Sequence, residues 1–174
     1  MKKLTALLTV IGLLLSLCSC TVKRQRTSDA EQYRRYLSKV EYAASYMPDI
    51  AACGDPSSMT ATYQHDYLLF FDKYSVGLFL AYTEDEYEAQ KQAILSSYTF
   101  FDAEDEVASD RDAAVGGFDL RLVDAEYPLS TVKTGLLIGT NDADCEICYL
   151  FYYDFDLDVL DDLDAYVSNH IDIP

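Results

Sequence analysis

The chain predicts an α+β fold: an antiparallel β-sheet of about five strands with helices packed on one face. Two observations carry that reading. Apolar residues recur at spacings of three and four in three separated segments, as on one face of a helix. Between them lie runs of Tyr, Leu, Phe and Val bounded by turn residues, as in paired strands. The resulting order, α-ββ-α-βββ-α, has no internal repeat and no dividing linker, so residues 28–174 are expected to form a single domain.

The first helix is expected in "SDAEQYRRYLSKVEYAASYMP". Ser28 with Glu31 reads as a capping box, and Pro48 stops the helix. Tyr33, Tyr36, Leu37, Val40, Ala44 and Met47 form its apolar stripe. "CGDPSS", residues 53–58, is a turn-rich connection. A hairpin follows from "ATYQHDYLLFF" and "SVGLFLAYT", joined around Asp72-Lys73-Tyr74. Thr83 with Glu86 is a second capping box. It starts a helix running to about Tyr98, with Tyr87, Ile94, Leu95 and Tyr98 on one face.

Residues 102–117, "DAEDEVASDRDAAVGG", read as an exposed acidic loop. "FDLRLVD", from Phe118 to Asp124, alternates as a strand does. "TGLLIGT" and "CEICYLFYYDFDLD" flank the turn-forming residues Asn141–Asp144 and predict a second hairpin. Its second strand is apolar on both faces through Tyr153, as a covered central strand would be. Leu160, Leu163, Val167 and Ile171 place a last helix from about Asp158 to His170.

The N-terminus points to the compartment. Lys2 and Lys3 precede an apolar run from Leu4 to Leu17. Crossing a bilayer takes about 20 apolar residues, so the run suits a signal peptide better than an anchor. It ends in "LCSC", Leu17 to Cys20, which resembles the bacterial lipobox. That resemblance implies cleavage after residue 19, acylation (palmitate) of Cys20, and a tether over residues 20–27. Two or three acyl chains hold a protein at a membrane without a transmembrane helix. The alternative is a plain signal peptide cut near Ser19 with no lipid.

Charge excludes one class of partner. The chain carries 30 acidic against 13 basic residues, a formal net charge of −17. A body this acidic repels nucleic acid. It is also held off anionic lipid, whereas the basic residues Lys23, Arg24 and Arg26 can lie near it.

Cys53, Cys145 and Cys148 remain after processing. They read as core thiols, with a disulfide from Cys53 to one of the other two as the alternative. Cys145-Glu-Ile-Cys148 falls in an expected strand, where positions three apart face opposite ways, which disfavours a redox or zinc site.

Catalytic signals are sparse. His65 and His170 are the only histidines, and no Gly-rich phosphate loop occurs, since Gly116-Gly117 stands alone. Asp154, Asp156 and Asp158 alternate along a strand end and could gather oxygen ligands for Ca²⁺. Val159 and Ala165 stand where an EF-hand loop needs Gly and Glu, and Asp158 serves equally as a helix N-cap. No cofactor is expected.

"YMPDI" at 46–50, "YTEDEYEAQKQ" at 82–92 and "LLIGTNDADCEICYLFYYDFDLD" at 136–158 resemble small uncharacterised lipoproteins of Gram-positive bacteria. The resemblance implies a lipoprotein with one domain and brings no activity, cofactor or site with it.

The sequence therefore leads to an expected function: a non-catalytic binding or accessory lipoprotein, anchored on the outer side of the cell membrane. It would hold a protein or peptide partner through an acidic, Tyr-rich surface. The alternative is an envelope hydrolase or Ca²⁺-dependent protein working through clustered carboxylates.

Overall fold

A computed structural model describes residues 21–68, 71–101, 112–129, 133–154 and 163–174. The elements are β1 (Thr21–Thr27), α1 (Ala30–Leu37), α2 (Ala43–Tyr46), a 3-10 turn (Ile50–Ala52), β2 (Ser58–Leu68) and β3 (Phe71–Ala81). They continue with α3 (Glu84–Ser97), β4 (Asp112–Val115), β5 (Phe118–Leu122), β6 (Thr134–Asn141), β7 (Glu146–Asp154) and α4 (Leu163–His170). The strands form one antiparallel sheet in the order β1-β2-β3-β7-β6-β5-β4. The α+β class and the antiparallel sheet stand as expected.

Among the described residues, the sheet has seven strands, not five. The segment read as a tether is β1, paired with β2 from Thr21↔Tyr67 to Thr27↔Ala61. It lacks apolar alternation because it is an edge strand, where charged side chains guard the unpaired backbone. The end of the segment read as an acidic loop is β4, joined to β5 by Gly116-Gly117 at φ +63° and +85°. Those angles are what a two-residue hairpin turn requires, and glycine adopts them freely. Residues 102–111 lie outside the described residues.

Helices cover both faces instead of one. Along β7, Ile147, Tyr149 and Phe151 enter a core beneath α1, α2 and α3, while Cys148, Leu150 and Tyr152 enter a second core beneath α4. The stripe Leu163, Val167 and Ile171 must be buried, and the first face is already occupied, so α4 crosses to the other. β5 feels only the α4 face, which gives its strict alternation of buried and exposed residues.

Local details differ for stated reasons. Asp29, not Ser28, caps α1: its carboxylate accepts from Glu31 N at 2.8 Å. The expected long helix breaks after Leu37, with Tyr42 at φ 66°. The break shifts the apolar phase by one residue, so Ala43 is buried and Ala44 exposed. The register of β2 and β3 runs through to Leu68↔Phe71, so Asp72, Lys73 and Tyr74 lie inside β3 and not in a turn. Thr83 caps α3 as expected, accepting from Glu86 N at 3.4 Å. On α3, Tyr87 and Ile94 are buried while Leu95 is exposed.

Candidate functional site

A groove of about 350 Å³ opens on the α1 face, between α3 and residues 48–52. Its walls include Pro48, Ala52, Gln90, Ala93, Ile94 and Tyr98, and Tyr149 lies at its floor. No lining residue is charged, which is unusual in so acidic a chain. The capping hydroxyl of Thr83 sets where α3 starts. On the opposite wall, Asp49 caps the 3-10 turn by accepting from Ala51 N at 3.0 Å, and Arg34 reaches the same carboxylate at 3.5 Å.

Behind the groove, tyrosines surround Cys53. Tyr33 donates its hydroxyl proton to Pro48 O at 2.9 Å, and Tyr82 donates to Cys53 O at 2.8 Å. Burial raises the phenols of Tyr33, Tyr82, Tyr98 and Tyr149 above their usual range, with Cys53 adding to each. The Cys53 thiol is pushed up to about 11, by burial first and by Asp49 second. At neutral pH it is a protonated core thiol, not a nucleophile. With neutral walls of Pro48, Ala52, Ala93, Ile94 and tyrosine rings, the groove suits apolar side chains.

A second polar assembly lies on the α4 face. Gln64 is 1% exposed and donates through Nε2 to both oxygens of Asp66, at 2.9 and 3.0 Å, while accepting from Arg24 Nε at 3.1 Å. His170 Nδ1 meets Asp66 Oδ2 at 2.9 Å, and Ser75 donates to His170 O at 3.0 Å. Burial of these groups is offset by their mutual hydrogen bonds, and the two bonds at His170 join α4 to β2 and β3 beneath it. On the other face, His65 stacks on Tyr74 at 4.2 Å and meets Asp72 Oδ1 at 2.9 Å. Both histidines therefore stand in carboxylate contacts that tie elements together.

Asp154, proposed from sequence as a Ca²⁺ ligand, is 3% exposed and ion-paired with Lys73 at 3.3 Å. It also accepts from the Tyr166 phenol, whose pKa rises through burial first. Asp156 and Asp158 lie outside the described residues. Among the described residues, no three His, Cys, Asp or Glu come together as a metal site. Among the described residues, Cys53, Cys145 and Cys148 are free thiols. Cys53 and Cys148 belong to cores on opposite faces of the sheet, and Cys145 sits at φ 53° in the β6–β7 turn, where the sequence placed a strand. Cys20 lies outside the described residues.

One cleft of about 240 Å³ carries two carboxylates, Asp144 and Glu146, together with Asn141, Thr60 and Phe79. Burial, and then Asp144, raises the Glu146 carboxyl above its usual range. Asp144 Oδ2 accepts from Asn141 Nδ2 at 2.9 Å.

Sequence reasoning missed the groove and the Arg24–Gln64–Asp66–His170 chain. Asp66 and His170 are 104 positions apart, and no linear spacing announces such a contact. Comparisons with protein-family profiles, with curated proteins and with solved structures find no match to this chain.

Proposed function

We propose that this chain is an extracytoplasmic lipoprotein, held on the outer side of the cell membrane by acyl groups on Cys20, that binds a protein or peptide partner and performs no chemistry of its own. The groove between α3 and residues 48–52 carries the binding half of this reading. It is neutral and tyrosine-floored on a chain of net charge −17, which suits apolar side chains of a peptide. The anchoring half is supported by the apolar run that ends in "LCSC". Among the described residues, no helix is long and apolar enough to cross a membrane.

The hydrolytic alternative draws on Glu146, a raised carboxyl beside Asp144. A carboxylate pair working as acid and base needs two groups whose pKa values are driven apart. The neutral, tyrosine-floored groove favours the binding reading over this pair.

Two experiments test the proposal. A Cys20→Ala variant is expected to lose its acyl groups by intact mass and to leave the membrane fraction or stay as precursor. A photo-cross-linking residue at Ala93, on the groove wall, is expected to capture a discrete partner on intact cells. The same residue at Glu88, exposed elsewhere on α3, is not. Identical captures from both positions would remove the groove from the proposal.

A further inference from the structure

At the sheet corner where the described residues begin, exposed apolar side chains and cations lie side by side. Thr21, the residue after Cys20, is already paired with Tyr67. An acyl group on Cys20 would therefore sit at the end of β1 itself, with no tether to separate the domain from the bilayer.

The residues at that corner are graded. Val22 and Tyr67 are 49% and 50% exposed, two of the four large hydrophobic side chains left open among the described residues. Val22 pairs with Asp66 and Tyr67 with Thr21, so they point to opposite faces of the sheet at the same strand end. Next along β1 come Lys23 and Arg24, both exposed and again on opposite faces, opposite His65 and Gln64. The nearby carboxylates are already engaged, Asp66 by Gln64 and His170, and Asp72 by His65. From Thr21 inward, β1 thus reads apolar at Val22 and then cationic at Lys23 and Arg24, with steps of about 3.3 Å per residue, while Asp66 and Asp72, beside Val22 and Tyr67, are each held by a histidine.

That gradient matches a lipid interface. Apolar and tyrosine side chains favour the boundary between headgroups and acyl chains, and cations just above it favour the phosphates. We propose that Val22, Tyr67, Lys23 and Arg24 form a membrane-docking corner that seats this end of the sheet on an anionic phospholipid surface. This rests on the lipid-anchor reading. The acyl group supplies residence at the membrane, and the corner supplies orientation. It points the acidic body away from the bilayer and leaves the α3 groove free.

The test uses the full chain from a bacterial host, checked for acylation by intact mass, on vesicles of phosphatidylcholine with and without phosphatidylglycerol. Hydroxyl-radical footprinting then reads side-chain exposure. Tyr42 and Leu95, 44% and 52% exposed at other places on the domain, serve as internal references. On phosphatidylglycerol vesicles, modification of Tyr67 and Val22 is expected to fall by about half or more relative to Tyr42 and Leu95, as for side chains buried at an interface. A Lys23→Gln/Arg24→Gln variant should lose that protection while still floating with the vesicles through its lipid. An acylated, vesicle-bound chain in which Tyr67 stays as reactive as Tyr42 overturns the docking corner and leaves the anchor standing. A chain without acyl groups that stays off both kinds of vesicle overturns both.

Discussion

Arg26 and Asp172, 146 positions apart, meet as a two-pronged pair: Nε donates to Oδ2 and Nη2 to Oδ1, each at 2.7 Å. Arg26 Nη2 also donates to Ile173 O at 3.1 Å, and Asp172 is 8% exposed. The pair clamps the first described strand to the last residues of the chain. Asp172→Ala is expected to cost about 1.5–3 kcal/mol, the range for hydrogen bonds to charged groups. Arg26→Lys should recover only part, since an ammonium cannot reproduce the planar fork. Urea denaturation of the three proteins decides it, and three coincident midpoints would mean that the clamp contributes nothing.

Removing the cap of α3 tests where the groove wall begins. Thr83→Ala is expected to destabilise the domain by about 1 kcal/mol. A thermal melt unchanged within error would place the helix start elsewhere.

The sheet is packed closely at Gly139. A Cβ there would lie 2.4 Å from Leu120 Cδ2 and 2.8 Å from Cys148 Sγ, inside the α4-face core. Gly139→Ala should therefore destabilise by about 1–3 kcal/mol, as overpacking does. Equal or higher stability than the parent would show that this core has slack.

Two carboxylates beside the β6–β7 turn should respond to pH in opposite senses. Hydrogen bonds from Lys91 first, and from Tyr87 second, hold Asp142 below its usual range. Its contribution is present above the unfolded pKa of about 3.9 and fades as pH falls through the lower folded value. Burial raises Glu146, so its folded state is most favoured below the unfolded pKa of about 4.3 and loses ground as pH rises. At neutral pH, Asp142→Asn should lower the melting temperature and Glu146→Gln should raise it. Both differences should shrink toward pH 3. Melts across that range that move the same way would contradict the assignment.

The Lys73–Asp154 pair offers a sharper test of the Ca²⁺ idea. Both side chains are largely buried, at 14% and 5% exposure. Lys73→Met would strand a buried carboxylate at a cost of about 3–5 kcal/mol. With Asp154 committed to Lys73, Ca²⁺ and Mg²⁺ at matched ionic strength should raise the melting temperature of the parent equally. A Ca²⁺-selective rise would return Asp154 to the role of ligand.

How far the sequence could be read depended on which forces decided each element. Strongly periodic segments were legible: α3 with its Thr83 cap, the Asn141–Asp144 turn, and the doubly apolar β7. β1 and β4 were not, because an edge strand needs no buried face and four residues carry too little pattern. The second helical layer was implicit in β7, whose apolar residues on both faces demanded two covers, yet the assignment of α4 to the far face needed the whole sheet. The proposed Asp154 site failed for a related reason. Alternation correctly put its side chain on one face, but local sequence cannot say that Lys73 waits there. The contacts His170–Asp66 and Arg26–Asp172 join segments more than 100 positions apart, which only the fold brings together.

The strand order places the last strand made at the middle of the sheet. A chain growing from its N-terminus can assemble β1-β2-β3 and β4-β5-β6 as separate ribbons, but β7 must arrive before either has a neighbour on its inner side. Until then β3 and β6 are bare edges, each able to pair with any strand it meets. A chain stalled or cut before Glu146 would then leave two adhesive halves, not a smaller folded domain. The interval between synthesis of β6 and arrival of β7 is the period in which this protein most needs to be kept from its own copies.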